Sequence, residues 1–364
     1  MDTADMAAVR PSGEFKDRNK AIGRARSSRD LGLSWITSKI GNSGKPQCDP
    51  AATYRLPWAL AVSGRREEAA AVLAWASREI LTADGDMAPG SLRTKFTSMA
   101  ASYPLAILAV GAWHLDRYDL ANKIMDALVG YQNQGSGGAY SQTPEARGSQ
   151  PFEDLYPTAQ LGLAGLCTGR LSVAAGAYRW ITNLWDAQPD LPGRLFTRMS
   201  RGQLVTDAAD DAMSRFHMVT DLGGARQAFY NPGIAAAFLG RYYLATGDHE
   251  ALVAASRFLS LSAAGGPEQF NYQESRQICK FGWGSAVLTE ADPGNASYES
   301  YTLRMTQWFV ESQEADGRWH NSPFLDPGPT EAGDMAVTTE FVLHLSTILA
   351  ALSGKAAAEF KAAA

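Results

Sequence analysis

The sequence predicts an all-α protein folded as an (α/α)6 barrel, in which six outer helices surround six inner ones. One observation is a polar, Gly- or Pro-rich loop with aromatic residues that recurs about every 50 to 75 residues, a period typical of repeat architectures. The other is an alternation between helical segments of two compositions. In a closed ring of repeats each unit buries its apolar face against its neighbours, so a chain of 364 residues needs no second core.

The recurring loops connect one predicted helix to the next. Strands would require runs of alternating β-branched residues bounded by tight-turn dipeptides, and the sequence has almost none. The five loops span Asp84–Gly90, Gln132–Tyr140, Gln188–Phe196, Gly265–Gln273 and Gln313–Asn321.

The helical segments fall into two classes. Segments of the first class are rich in Ala, Leu and Gly and carry almost no charge, which is typical of helices buried on all sides. We assign these to the inner ring: Pro50–Ser63, Phe96–Leu115, Phe152–Cys167, Pro232–Thr246, Gln277–Leu288 and Ala336–Leu352. The amphipathic second class is assigned to the outer ring: Asp17–Lys39, Arg66–Thr82, Tyr118–Tyr131, Ser172–Asp186, His249–Ala264 and Tyr298–Glu314.

Most inner helices are predicted to begin with a Tyr close to a Pro, which is tolerated there because the first helical N–H groups lack intrahelical partners. These tyrosines are Tyr54, Tyr103, Tyr156 and Tyr230. The fifth repeat has Lys280 and Trp283 in this region, and the sixth has no such Tyr. Two interpretations stay open and are compatible: packing against neighbouring helix ends, or a ring of phenols around the mouth of a cavity.

The long aromatic loops all lie at the N-terminal ends of the inner helices, whereas links such as Ser63–Arg65 at the other end are short. Function usually resides in the longer loops, so we expect the active site at that end. Residues Thr197–Phe229 extend one loop well beyond the others, and we interpret them as a lid. Residues 1–354 would form a single barrel domain with this insertion, and Lys355–Ala364 a low-complexity tail or tag remnant.

The composition excludes several functional classes. A net charge of −5 and a pI near 5.6 give no basic surface for nucleic acid or anionic lipid. No uninterrupted apolar run reaches a membrane-spanning length, and the first twenty residues lack an apolar signal core, so we expect a cytoplasmic protein. Three cysteines and five histidines occur without CxxC or HExxH, so neither a metal nor another cofactor is expected. The expected partner is a small-molecule substrate, and homo-oligomerisation is left open.

Two parts of the chain resemble known toroid families. The loops QNQGSGGAY (Gln132–Tyr140) and QEADGRWHN (Gln313–Asn321) resemble the repeat loops of terpenoid-cyclase and protein-prenyltransferase α/α toroids. Gly240–Phe258 is similar to the helix–TGD–helix hairpin of six-hairpin glycosidases and sugar epimerases. The DxDD acid of class II terpene cyclases has no match, because Asp207, Asp210 and Asp211 have another spacing. The prenyltransferase zinc ligands also have no matching cluster.

Candidate site residues are the polar and aromatic groups at the loop-bearing end. The segment Gln269–Trp283 is the densest of these, with Tyr272, Glu274, Arg276 and Lys280 at a junction between a loop and an inner helix. The predicted catalytic residues are Glu274, Tyr230, Asp154 and Tyr272. The predicted substrate-binding residues are Asp49, Tyr54, Tyr103, Tyr156, Asn231, Lys280, Trp283, His217 and Glu331.

Three functions fit these observations. The first is a cofactor-independent lyase, isomerase or cyclase that protonates a small, largely apolar metabolite from a carboxylic acid or phenol of suitable pKa. The second is a six-hairpin glycoside hydrolase, which needs two carboxylates across the pocket, or a sugar epimerase. The third is a non-catalytic helical scaffold, which needs no deep cavity with convergent polar groups.

Overall fold

A computed structural model describes residues 17–89, 102–148, 151–207, 216–271, 278–321 and 330–363. Within these ranges the α-helices alternate between an outer and an inner ring, as predicted. The outer helices are α1 (Arg18–Ser38), α3 (Arg66–Glu79), α5 (Tyr118–Leu128), α7 (Leu171–Asp186), α9 (His249–Ala264) and α11 (Ala296–Glu311). The inner helices are α2 (Leu56–Val62), α4 (Ser102–His114), α6 (Leu155–Cys167), α8 (Tyr230–Thr246), α10 (Cys279–Ala291) and α12 (Glu331–Ala363).

The inner helices form a closed ring. Each one packs against the next in chain order, and α12 returns to contact α2. Every outer helix covers an inner one, with α1 closing the outer layer against α12 and α11. One continuous apolar core therefore runs around the barrel between the two layers. The fold prediction of an all-α (α/α)6 barrel is confirmed.

Short strands lie at the loop-bearing end of the barrel. They are β1 (Glu153–Asp154), β2 (Arg194–Phe196), β3 (Arg198–Ser200), β4 (Gln203–Leu204) and β5 (Val219–Asp221). β1, β3 and β4 form one antiparallel sheet, and β2 pairs with β5 in another. The described parts of the predicted lid are therefore hydrogen-bonded to the start of α6, and the Thr197 carbonyl accepts from the Leu155 N–H at 2.9 Å.

The recurring loops are held by the same contacts in different repeats. The side-chain amide of Gln132 donates to the carbonyls of Gly137 at 2.9 Å and Val173 at 3.1 Å, which fastens the loop to α7. Gln313 donates in the same way to Gly317 at 2.8 Å and to Ser28 of α1 at 2.9 Å. The Gln…Gly signature that the two loops share thus anchors each loop to the next outer helix around the ring, α7 for the first loop and α1 for the second.

The glycines of these loops serve the same contact. Gly137 has φ +91° and Gly317 has φ +96°, a left-handed conformation that other residues rarely adopt. A Cβ at Gly137 would overlap the backbone of Gly176 on α7, and one at Gly317 would overlap Leu31 on α1. The loop backbone can approach the outer helix only because no side chain stands between them.

Helix α12 is long and apolar enough to cross a membrane by composition, with 78% of the relevant window buried inside the barrel. This burial is expected of a helix in the inner ring, so the composition of α12 is explained by its place in the ring. Its last turns continue through the predicted low-complexity tail, where Lys355 forms a 2.7 Å ion pair with Glu299 of α11.

Two glycine substitutions test the packing of the inner ring. We predict that Gly233→Ala destabilises the protein by about 1–3 kcal/mol, the usual cost of overpacking, because its Cβ would lie well inside 3.0 Å of the Lys280 carbonyl group on the neighbouring helix. Gly23→Ala is the control, since this exposed position on α1 has no atom within 4 Å of the added Cβ. Urea unfolding measures both, and equal stability of the two variants would contradict the close approach of α8 and α10.

Candidate active site

A cavity of about 300 Å³ opens at the loop-bearing end of the barrel, which we call the loop-end cavity. Its wall is a row of tyrosines from successive inner-helix starts. The ring of Tyr103 packs edge to face against Tyr54 and Tyr156, with ring centres 6.2 and 5.2 Å apart. Tyr156 packs in the same way against Tyr230, with ring centres 5.4 Å apart. The lining residues are Ala51, Tyr54, Arg55, Tyr103, Tyr156, Phe216, His217, Tyr230, Lys280, Asn321, Gly333, Ala336 and Val337.

Two cations, Arg55 and Lys280, form the floor of this cavity, and the Glu340 carboxylate lies beneath them. The Lys280 ammonium donates to Oε1 of Glu340, and Nη2 of Arg55 lies 3.4 Å from the same oxygen. Arg55 also donates to the Tyr103 hydroxyl at 3.3 Å, and its guanidinium lies 4.5 Å from the centre of the Tyr54 ring. All three charged side chains are at least nine-tenths buried. We call Arg55, Lys280 and Glu340 the floor cluster.

The floor cluster is ionised at neutral pH. Burial alone would raise the pKa of Glu340, but the charges of Arg55 and Lys280 hold it well below its usual range. Burial is the largest influence on Lys280 and lowers its pKa, but the Glu340 carboxylate, with smaller contributions from Tyr103 and Cys279, brings the pKa above its ordinary value. The same balance leaves the pKa of Arg55 raised. The cluster therefore carries two positive charges and one negative charge.

A hydrogen-bonded phenol and imidazole lie in the cavity wall. The Tyr230 hydroxyl is 3.3 Å from Nδ1 of His217. His217 is positioned by the lid segment, since Thr197 donates from its hydroxyl to the His217 carbonyl at 2.7 Å. Tyr230 begins α8, and its ring lies 5.8 Å from the Lys280 ammonium. The pair and the floor cluster therefore border the same space, and both predicted residues, Tyr230 and His217, are brought together there.

The internal repeat shows which residues depart from the common pattern. The hydroxyl of Thr158 accepts from the Ala139 N–H, and that of Thr338 accepts from the Trp319 N–H, with nineteen residues separating the partners in both. In this alignment the sixth repeat has Ala336 where the third has Tyr156, and Glu340 where it has Gln160. Lys280 likewise takes the place of a Tyr in the fifth repeat.

Asp154, a predicted catalytic residue, lies behind the cavity wall. Its carboxylate is fully buried and accepts two hydrogen bonds from Arg198, at 2.8 and 2.9 Å, and one from Ser141. It does not line the loop-end cavity. Its contacts fix β3 against the start of α6, which holds the lid segment in place.

Three other predicted binding residues also point elsewhere. Asp49 is exposed and accepts from the Ala51 N–H at 2.9 Å, and Glu331 is exposed in a 2.7 Å ion pair with Lys39. Asn231 is buried behind Tyr230 and donates to the Thr220 hydroxyl and the Ala228 carbonyl, each at 3.2 Å. By contrast, the predicted binding residues Tyr54, Tyr103, Tyr156 and Lys280 all line the cavity.

Trp283 was predicted at the same site but faces the other end of the barrel. It lies one turn further along α10 than Lys280 and lines a second cavity of about 600 Å³, which we call the link-end cavity. The Trp283 ring packs edge-on against Trp58 at 6.1 Å and stacks on His344 at 5.0 Å. These rings, together with the floor cluster, fill the barrel axis between the two cavities.

His344 lies directly beneath the floor cluster. Its Nε2 is 3.6 Å from Oε1 of Glu340, and neither ring nitrogen has a hydrogen-bond partner among the described residues. Burial lowers its pKa to about 4, although the Glu340 charge acts in the opposite direction. His344 is therefore neutral at pH 7.

Cys279, Glu340 and His344 place potential metal-ligand atoms within 4.8 Å of one another. Two observations argue against a metal at this position. Burial raises the pKa of the Cys279 thiol well above its usual value, and Arg55 and Lys280 already neutralise Glu340. A divalent cation here would face two fixed positive charges, so we assign no metal to the group.

Sequence reasoning missed Arg55 and Glu340. Glu340 is the only charged residue between Ala336 and Leu352, and an isolated carboxylate in an apolar inner helix was the available signal. Arg55 directly follows Tyr54, and the recurring Tyr at the inner-helix starts pointed to Tyr54 and not to the arginine beside it. Glu274 and Tyr272 lie outside the described residues, and their catalytic roles stay predictions.

Comparisons with known proteins show the fold. Neither a protein-family model nor a curated protein matches this chain by sequence. Among solved structures it is similar to the GH76 α-mannanase of Bacteroides thetaiotaomicron, with a TM-score of 0.61, 15% identity and coverage of 94% of this chain and 100% of that one. It is also similar to an unsaturated glucuronyl hydrolase of Streptococcus agalactiae, with a TM-score of 0.56, 10% identity and coverage of 94% and 93%.

A third similar structure is the type II terpene cyclase MstE of Scytonema, with a TM-score of 0.53, 13% identity and coverage of 92% of this chain and 99% of that one. The three proteins carry different activities on one architecture. The predicted resemblance to the α/α toroids is confirmed, and at these identities the likeness establishes the fold alone.

The pKa of His344 gives a pH-dependent stability. A buried neutral His must gain a proton on unfolding below pH 6.5, so we predict that the free energy of unfolding falls by about 3 kcal/mol as the pH drops from 6.5 to 4, at about 1.4 kcal/mol per pKa unit. Urea unfolding across this range measures it. His344→Leu should reduce the slope, leaving only the part due to carboxylates such as Glu340 whose pKa is depressed in the folded protein, and the exposed control His249→Gln should retain it in full. A His344→Leu slope equal to that of the wild type would contradict the assignment.

Proposed function

We propose that this chain is an enzyme that moves a proton within a small molecule held in the loop-end cavity, as a cofactor-independent lyase or isomerase. The observation that carries the proposal is the Tyr230–His217 hydrogen bond in the wall of a cavity with a positively charged floor. A phenol and an imidazole in contact can exchange one proton with a substrate and with each other, which is the usual equipment of general acid–base catalysis.

The floor cluster supplies the electrostatic part of this chemistry. When a base removes a proton from carbon next to a carbonyl or carboxylate group, the electron pair moves onto the oxygen, which gains negative charge. Lys280 and Arg55 are fixed donors in a dry site and would stabilise that oxygen. Isomerisation follows if the proton returns at another carbon; elimination follows if a leaving group departs with a proton from the phenol.

Glycoside hydrolysis, which the α-mannanase and glucuronyl hydrolase names suggest, is less well supported. It needs two carboxylates facing the substrate. The described residues that line the loop-end cavity include no Asp or Glu, and Glu340 beneath them is held ionised rather than available as an acid. A hydrolase would have to draw both acids from residues outside the described part, among which Glu274 is one.

A terpene-cyclase reaction meets the same difficulty, because protonating an alkene requires a strong carboxylic acid in the cavity. The cyclase neighbour nevertheless informs the choice of substrate. Structures of that enzyme hold geranylgeranyl dihydroxybenzoate as substrate and merosterolic acid A as product. The aromatic wall of Tyr103, Tyr156 and Tyr230 suits a ring of that kind.

Substitution of Tyr230 tests the proposal. Metabolite profiles of cells with and without the gene identify a compound that accumulates in the deletion strain, and purified protein is then assayed on that compound. We predict that Tyr230→Phe lowers kcat by about a hundredfold or more, the usual contribution of a positioned acid or base, and that His217→Asn does the same.

Tyr178→Phe is the matched control, because this phenol lies on the outer helix α7 and stacks on Tyr242 at 4.6 Å, far from the cavity wall. It should retain wild-type turnover. Full activity in both the Tyr230 and the His217 variants, with normal folding by circular dichroism, would refute the proposed acid–base pair.

A further inference from the structure

We propose that the floor cluster is a subsite for a single carboxylate, formed by Arg55 and Lys280, and that the substrate is a small carboxylic acid with a planar or ring-shaped body. This inference rests on the proposed function for the identity of the cavity and adds the chemical class of its ligand. It replaces the expectation of a largely apolar metabolite with one that carries a negative charge at one end.

The charge count is the first step. Arg55 and Lys280 both approach Oε1 of Glu340, so two cations share one carboxylate oxygen. The cations line the cavity, whereas Glu340 does not. Counted over the described residues, a net positive charge therefore faces the cavity from two side chains that are each at least nine-tenths buried. Burying an uncompensated charge is costly, and a bound anion removes that cost.

The second step is that two other buried acids at inner-helix starts are already paired. Asp154 is bound by Arg198, and Asp334 accepts from the Asn321 N–H at 2.9 Å and lies 3.1 Å from Nδ1 of His320. Burial raises the pKa of the Tyr54 phenol, so the ring beneath Arg55 is neutral. Within the described ranges, no carboxylate besides Glu340 forms a salt bridge with either cation.

The third step is the form of the anion. One excess positive charge matches one negative charge, which favours a carboxylate over a doubly charged phosphate. The Arg55 guanidinium is planar and presents donors in the fork geometry that fits a carboxylate. The lysine ammonium lies 6.0 Å from the Tyr103 ring and 5.8 Å from the Tyr230 ring, so the space next to the floor is bounded by aromatic faces.

The size of the cavity limits the rest of the molecule. About 300 Å³ is at the lower end of the range for small-molecule pockets. The wall tyrosines meet edge to face, which leaves ring faces and edges for a flat ligand to pack against. A single ring with one carboxylate fits both the charge and the volume.

Isothermal titration with benzoate and with its neutral analogue benzamide tests the subsite. We expect benzoate to bind at least tenfold more tightly than benzamide, and phenyl phosphate more weakly than benzoate. Equal affinity for benzoate and benzamide would overturn the proposal, and stronger binding of phenyl phosphate would overturn the choice of a single carboxylate.

Two charge variants test whether the preference for benzoate depends on the excess positive charge of the floor cluster. Arg55→Met leaves the neutral Lys280–Glu340 pair and should lose the preference for benzoate. The double variant Lys280→Met with Glu340→Met leaves Arg55 as the one excess cation and should keep that preference. If Arg55→Met fails to fold, the double variant alone decides, because loss of its preference would contradict the charge argument.

The failure of this inference is distinguishable from failure of the proposed function. If Tyr230→Phe abolishes turnover but benzoate and benzamide bind equally, the acid–base pair stands and the carboxylate subsite is wrong. If benzoate is preferred but the Tyr230 and His217 variants retain turnover, the subsite stands and the acid–base pair is wrong.

Discussion

The ion cluster of Arg55, Lys280 and Glu340 at the barrel axis is the constraint on which the other features of the site depend. It joins three inner-helix regions, since Arg55 directly precedes α2, Lys280 lies in the first turn of α10 and Glu340 lies on α12. A charged group in this position must be compensated by others in the same low-dielectric space. The cluster therefore fixes the relative placement of these helices and sets the electrostatic potential of the cavity above it.

Much of the fold could be predicted from the sequence because its signals are local and repeated. The alternation of uncharged and amphipathic helices located all twelve segments, and the Tyr-Pro starts predicted the row formed by Tyr54, Tyr103, Tyr156 and Tyr230. The Gln side chains that the two loops share anchor each loop to an outer helix. Repetition predicts architecture well because every repeat makes the same packing contacts.

The candidate site was less predictable because its charged residues lie where the repeat is broken. Lys280 in place of a Tyr and Glu340 in place of a Gln are single substitutions in otherwise regular helices, and their meaning depends on contacts between distant repeats. Sequence spacing could not predict which end of the barrel Trp283 faces. Trp283 lies only one helical turn from Lys280, yet Lys280 lines the loop-end cavity and Trp283 lines the link-end cavity. Asp154 looked catalytic at a helix start, yet its partner Arg198 comes from the inserted segment.

In the described part of the chain, the cavities at the two ends of the barrel differ in character. The larger link-end cavity is lined by apolar residues such as Val110, Leu163 and Leu343, with His114 at its edge, whose pKa burial lowers. The loop-end cavity is smaller but holds the charged floor and the Tyr230–His217 pair. Volume alone favours the first, whereas the convergence of groups that can bind charge and move protons favours the second.

A crystal structure with 4-bromobenzoate tests the central claim most directly, because the anomalous signal of bromine locates the ligand without ambiguity. The ion cluster predicts the carboxylate within hydrogen-bond distance of Arg55 and Lys280, with the bromine directed between the wall tyrosines. Bromine located among Trp58, Trp283 and Leu343 of the link-end cavity, with the loop-end cavity empty, would contradict it.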